Sequence, residues 1–144
     1  MRGVPFWIVA CALPLLASTP CWAACTVSTT SVSFSVYDVF NTQSEDITGT
    51  VTVRCSPAVP YTLSLSTGTG DYASRILTNG ALTLSYNLYI DAARTTVWGD
   101  GSGGTATVNG DAEEATYTIY GRIPARQNVQ MGEYTDTIIA TVTY

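Results

Sequence analysis

The chain contains no histidine and no lysine. Without histidine, the commonest general base and metal ligand is missing. A Ser–His–acid or Cys–His site is therefore excluded. All six basic residues are arginine, set against 11 acids, and the net charge is −5. Phosphate binding needs a basic surface, so this balance argues against a nucleic-acid partner. Charge of either sign is scarce, at 12% of residues, while 46% are hydrophobic. Abundant Thr and Ser take the place of charge on the solvent side, as in exported β-rich proteins. Helical periodicity is also lacking: no window of about 11 or more residues shows a convincing 3.6-residue repeat, and Gly and β-branched residues interrupt throughout.

The acids that remain do not assemble a catalytic pair. Glu113 and Glu114 are adjacent, and neighbours on a strand point to opposite faces. Asp91, Asp100 and Asp111 fall in loops and read as solvated turn residues. The stretch "GDGSGGTATVNGD" is rich in Gly and Asp and raises calcium as an alternative. It lacks the alternating acid ligands and closing Glu of a known calcium loop. The reading is no enzyme, no catalytic residue, no metal and no cofactor.

What is present begins with "MRGVPFWIVACALPLLASTPCWAAC". Arg2 is followed by an apolar run, then by small residues at Ala23 and Ala24. This reads as a secretory signal over residues 1–23, with the mature domain spanning 24–144. Cleavage after Ala23 places Cys21 and Ala23 at the −3 and −1 positions. A membrane anchor is the alternative, but the run is short and broken by Pro14. "WAAC" is a second alternative, a lipidation site at Cys25, in which Trp22 would stand where an aliphatic residue is usual. Cys11 and Cys21 leave with the signal. Cys25 and Cys55 remain as an even pair in an oxidising compartment, so a disulfide is expected.

Alternation by two dominates the mature chain. Strand one is expected near Thr26 to Tyr37, with Val32, Phe34 and Val36 on one face. "ITGTVTVRC", "YTLSLST", "LTLSYNLYI" and "ATYTIYGRI" follow, the last ended by Pro124. "TTVW" and "TATV" flank "GDGSGG" as a small hairpin. "GEY" opens the last strand, in which Ile138, Ala140, Val142 and Tyr144 alternate with Ile139, Thr141 and Thr143. About six main strands and one hairpin, with turns at regular intervals, predict an antiparallel β-sandwich in one domain. The many tyrosines read as core and cross-strand packing. An aromatic sugar-binding face is the alternative.

"CTVSTTSVSFSVYD", "YNLYIDAARTTVWGDGSGG", "YGRIPARQ" and "GEYTDTIIATVTY" together resemble the spore coat protein U domain family, which includes subunits of archaic chaperone–usher pili. The resemblance covers Cys25 to Tyr144. It implies an immunoglobulin-like sandwich that lacks its last strand. A periplasmic chaperone would fill the resulting groove first. At the outer-membrane usher, a neighbouring pilus subunit would then replace the chaperone by donor-strand complementation. Cys25 and Cys55 match the family's cysteine pair. The groove borders implied are Val32, Phe34 and Val36 on one side and Ile138, Ala140, Val142 and Tyr144 on the other. Tyr86, Asn87, Leu88, Tyr89, Trp98, Gly99, Tyr120, Gly121, Arg122 and Pro124 fall at family motif positions and are expected to have structural roles. The expected location is the periplasm and then the cell surface. Only Ala24 precedes Cys25 in the expected mature chain, where polymerising subunits carry a donor segment. The expectation is therefore a subunit that receives a strand, at a tip or terminal place. Two alternatives stand beside it: a self-complete surface- or carbohydrate-binding module, and a spore- or cell-coat structural protein.

Overall fold

A computed structural model describes residues 22–34 and 37–144. The expected signal lies outside the described residues, except for Trp22 and Ala23, and so does Val36.

Among the described residues, eight strands form two antiparallel sheets: β1 (Ala24–Thr29), β2 (Glu45–Ser56), β3 (Tyr61–Leu65), β4 (Arg75–Asn79), β5 (Leu82–Tyr89), β6 (Val108–Gly110), β7 (Glu114–Ile123) and β8 (Ala140–Thr143). One sheet has the order β1-β2-β7-β5-β4 and the other β6-β3-β8. This is the expected all-β sandwich. The long β2–β7 pair is its backbone, in register from Glu45↔Ile123 to Arg54↔Glu114.

Alternation decides which side chains enter the core. On β2 the buried side holds Val51, Val53 and Cys55, and on β7 it holds Ile119 and Ile123. Tyr61, Leu63 and Leu65 of β3 face them from the other sheet. The outer side of the β2–β7 pair carries hydroxyls and charge instead. Thr52 and Thr116 share a hydrogen bond of 2.8 Å, and Arg54 meets Glu114 at 2.9 Å.

Cys25 lies directly opposite Cys55 in the β1–β2 ladder, and the two form the expected disulfide, with Cα atoms 4.1 Å apart. The bond closes a separation of 30 residues. By chain entropy alone, that closure stabilises the folded state by about 3–4 kcal/mol. Reduction, or replacing both cysteines by Ser, is expected to lower the urea midpoint accordingly. An unchanged midpoint would show that β1 is held by its ladder alone.

Four sequence expectations are corrected. First, β1 ends at Thr29. Thr30 still donates to the Thr50 carbonyl at 2.9 Å, and residues 31–34 then leave the ladder, where Val32 and Phe34 meet Gly49 and Gly121 of the inner face. Second, β4 was not foreseen. It pairs with β5 from Arg75↔Tyr86 to Asn79↔Leu82. Third, "TTVW" and "TATV" do not form a hairpin. Trp98 makes a parallel bridge to Ala106, and Val108 moves on to pair with Leu63 of β3. Fourth, the last strand begins at Ala140 and not at "GEY". The backbone of Thr135 exchanges hydrogen bonds of 2.8 and 3.0 Å with Thr78 of β4, and the chain then crosses to the other sheet before β8 forms.

One exposed ion pair gives a pH dependence. Arg122 donates to both carboxylate oxygens of Asp46 at 2.7 Å, across the β2–β7 ladder. Arg94 adds a second contact at 3.4 Å. The hydrogen bonds and charge of Arg122 hold the Asp46 carboxyl below the usual carboxylate range. A carboxyl lowered in the folded state contributes stability above its unfolded pKa and loses it as pH falls through the folded value. We expect the pair's contribution, on the order of 0–1 kcal/mol, to be lost between pH 5 and pH 2 and to show as a modest fall in melting temperature. Asp46→Asn should flatten that part of the profile, and an unchanged profile would remove Asp46 as a contributor.

Candidate functional site: an open groove between the border segments

The sandwich is sealed on one flank and open on the other. On the sealed flank, Thr135 closes against β4. On the open flank, β1 and β8 lie side by side with no ladder between them. The N–H of Ser66 donates to the carbonyl of Ile139 at 2.9 Å, continuing the β3–β8 register. Antiparallel pairing alternates, so Ile139, Thr141 and Thr143 turn their backbone groups to β3. Ala140 and Val142 turn theirs to the open side. Their side chains face the core, half-buried. β8 is therefore an edge with an apolar inner face and unpaired backbone, which is a template for another strand.

Beyond Thr29 and Ala140 the two borders part. A cavity of about 470 Å³ lies between residues 29–34 on one side and residues 133–138 with Ala140 on the other. Its floor is the sandwich core itself: Leu65, Leu77, Tyr86, Leu88 and Ile119. A second cavity, of about 300 Å³, continues toward Tyr37, Leu84 and Ile123. Of the border residues named from sequence, Val32, Phe34, Ile138 and Ala140 line the first cavity. Val142 is packed against the core beside β1 but does not line it. Tyr144 is 56% exposed and lies outside it as well.

Two glycines shape the first border. A Cβ on Gly49 would meet Val32 Cγ2 at 2.6 Å, and one on Gly121 would meet Phe34 Cζ at 3.1 Å. Residues 30–34 thus lie in a shallow dent in the inner face, where two side chains are missing. The Phe34 ring then packs edge-on to Tyr86, with centroids 5.9 Å apart.

The second border is held by Asp136, which the sequence did not single out. Its carboxylate accepts hydrogen bonds from Tyr86 Oη at 2.6 Å, Thr69 N at 2.9 Å and Thr137 N at 2.8 Å. It ties the groove wall to β5 and to the turn after β3. Burial, then the Asp136 carboxylate, push the Tyr86 hydroxyl far above its usual range. Tyr86 thus stays a donor at any ordinary pH.

The family motif positions form two scaffolding nodes behind the groove. In the first, Arg75 is fully buried and has no ion pair. It donates to Ser66 O at 3.0 and 2.8 Å, to Asn87 Oδ1 at 2.6 Å and to Trp98 O at 2.6 Å, and it lies 5.3 Å from the Tyr72 ring centre. Asn87 donates in turn to Tyr72 O at 2.9 Å. The Trp98 indole, also fully buried, donates to Leu63 O at 3.2 Å and links this node to the second sheet. Gly99 sits against Thr105, leaving no room for a side chain.

In the second node, Tyr89↔Tyr120, Leu88↔Gly121 and Asn87↔Arg122 are register pairs of β5 and β7. Arg94, at φ +57°, covers Tyr120 and donates to Gly121 O at 3.1 Å. Pro124 ends β7, and its carbonyl accepts from buried Tyr37 at 3.0 Å. Asp91 and Asp100 cap their own turns through Thr95, Thr96 and Ser102. Among the described residues, no three His, Cys, Asp or Glu side chains are grouped to hold a metal.

The molecule is thus an immunoglobulin-like antiparallel sandwich with an open groove along one flank. The Spore Coat Protein U domain profile matches residues 12–141, and the chain belongs to that family. It is 34% identical over 106 residues to "Protein U" of Myxococcus xanthus, covering 67% of this chain and 59% of that protein. The chain therefore spans less than two thirds of that relative's length. Its fold is similar to a chain in the crystal structure of the CsuC–CsuE chaperone–tip adhesion subunit pre-assembly complex, from archaic chaperone–usher Csu pili of Acinetobacter baumannii. That likeness has a TM-score of 0.60 at 21% identity and covers 85% of this chain and 40% of that one.

Proposed function

We propose that the chain is a structural subunit of a surface fibre, assembled by chaperone and usher through donor-strand complementation. One observation carries this reading. A groove of about 470 Å³ opens onto the hydrophobic core between residues 29–34 and the segment leading into β8. Beside it, among the described residues, no strand is laddered to the outer backbone of Ala140, which borders the groove. A strand laid there would gain ladder hydrogen bonds and bury alternate side chains on Leu65, Leu77 and Leu88. The partners are a periplasmic chaperone, the outer-membrane usher and neighbouring subunits, and the place of work is the periplasm and then the cell surface. The role is structural rather than catalytic.

A tip or terminal place in the fibre belongs to this proposal only if cleavage leaves no donor segment, because Ala24 and Cys25 are already paired to Ser56 and Cys55 and a donated strand would have to lie before Ala24. A second reading, a coat structural protein, is favoured by the family's description, the Spore Coat Protein U domain. Filaments sheared from producing cells decide between them. They are expected to contain the chain in multimers that separate only on denaturation. A chain recovered solely as released monomer, or solely in a coat fraction, contradicts the pilus reading.

A further inference from the structure

Of the asparagines, Asn79 and Asn109 each precede a glycine. A glycine nitrogen, with no side chain on its Cα, is the least hindered backbone group that could attack the preceding carboxamide. The fold treats the two pairs differently. Asn79 and Gly80 lie at the β4–β5 turn, a two-residue loop closed by the Asn79↔Leu82 register pair. Gly80 has φ +60° and Ala81 has no positive φ, which is the type II′ pattern. In that turn the ladder bonds belong to Asn79 and Leu82. Among the described residues the Gly80 N–H has no acceptor. A Cβ built on Gly80 would meet nothing within 4 Å, so the turn stands clear of its surroundings. The Asn79 carboxamide lies against Gly132 and, among the described residues, makes no hydrogen bond. Asn109 and Gly110, by contrast, are held. Gly110 is paired with Tyr61 across the β3–β6 ladder, and Asn109 Oδ1 accepts from Thr62 Oγ1 at 2.9 Å. The Tyr61 and Tyr117 hydroxyls close over Gly110 where a side chain would stand.

We infer that Asn79 is a site of spontaneous deamidation in the folded protein, and that Asn109 is shielded from the same reaction. The Gly80 nitrogen attacks the side-chain carbonyl carbon of Asn79 and gives up its proton to water. The new C–N bond closes a cyclic imide, and the side-chain nitrogen leaves as ammonia. Water then opens the imide at either carbonyl. One opening leaves aspartate. The other leaves isoaspartate, whose main chain runs through the former side chain and is longer by a carbon. The sum is amide plus water to carboxylate plus ammonium. The place gives the reaction a consequence. Asn79 follows Thr78, whose backbone exchanges hydrogen bonds of 2.8 and 3.0 Å with Thr135. A carboxylate at Asn79 abuts Gly132, with the acid Glu133 next in the chain, and like charges repel. The extra carbon of isoaspartate also spoils a turn whose length sets the β4–β5 register. Conversion therefore loosens the closure of residues 132–135 on β4, the sealed flank of the sandwich.

The test uses the unaltered chain, recovered from producing cells in the assembly in which it is released and then warmed at mildly alkaline pH. Peptide mapping by mass spectrometry follows the amide-to-acid mass gain at each asparagine, and fragmentation tells isoaspartate from aspartate. A sample unfolded in guanidinium runs alongside. There the two Asn–Gly pairs are expected to convert at similar rates. In the folded chain Asn79 is expected to convert about tenfold faster than Asn109, because only its turn opens without breaking the sandwich. Hydrogen exchange at Thr78 and Thr135 is expected to quicken about threefold in the converted chain. Equal rates at the two sites of the folded chain, or a faster Asn109, overturn the assignment. So does an Asn79 that stays intact in the folded chain while the unfolded sample converts. Exchange at Thr78 and Thr135 that conversion leaves unchanged overturns the loosening of the flank.

Discussion

Arg75→Met is expected to unfold the domain under conditions where the parent chain is folded. The parent arginine satisfies Ser66 O, Trp98 O and Asn87 Oδ1 with four hydrogen bonds, all within a site that water does not reach. Methionine fills much of the volume and donates nothing. Each buried acceptor left without a donor costs about 1–3 kcal/mol, so the three together cost about 3–9 kcal/mol. That is comparable to the whole stability of a small domain, about 5–15 kcal/mol. Burial lowers the guanidinium's affinity for its proton, but an arginine stays charged throughout the working range. Arg75→Lys is expected to rescue only partly, since an ammonium cannot reproduce the planar fork that spans three acceptors. Urea unfolding of the strand-completed domain is the check. Arg54→Met serves as the control, because that arginine is exposed, and its midpoint should move little. A midpoint for Arg75→Met equal to that of Arg54→Met would show that the node is dispensable.

Ala140→Asp is expected to abolish strand capture. Ala140 sits where β8 becomes the groove wall, with its side chain on the core side and its backbone on the open edge. A carboxylate there would be buried beneath any incoming strand with no cation in the groove lining to meet it. An unpaired buried charge costs several kcal/mol, so affinity should fall on the order of a hundredfold or more. Export across the inner membrane should be unaffected. Tyr144→Asp is the matched control. Tyr144 lies outside the cavity wall and is 56% exposed, so capture should stay within about threefold. Capture of Ala140→Asp equal to the parent, measured by co-purification of chaperone and chain from the periplasm, would count against the groove as the site.

Much of the fold could be read from side-chain alternation. The inward sets on β2, β3, β5 and β7 lie where the period of two places them, since each strand has one side on the core. The failures share a cause: alternation continued where the ladder did not. Ile138, Ala140 and Val142 keep the period through the crossing from one sheet to the other, so the pattern overstated the length of β8. Val32 and Phe34 keep it outside any strand, because Gly49 and Gly121 receive them. β4 escaped notice for the opposite reason. It is five residues long and begins with an arginine at a buried position, where a charge is ordinarily read as outward.

The site was legible only through family resemblance, and only at its borders. Nothing in the alternation marks Asp136 as the group that holds the wall. That depends on which residues of distant segments meet in space. In "YASRILTN" the buried arginine precedes an apolar pair, but its three acceptors come from other parts of the chain.

If the sandwich lacks a strand, denaturant unfolding of the oxidised mature domain, purified without chaperone or donor strand, should reveal it. The expected result is aggregation, or a broad non-cooperative transition that becomes a single sharp one when a complementary strand is supplied. A soluble monomer that unfolds in one cooperative step, with a midpoint unmoved by any added strand, would contradict it.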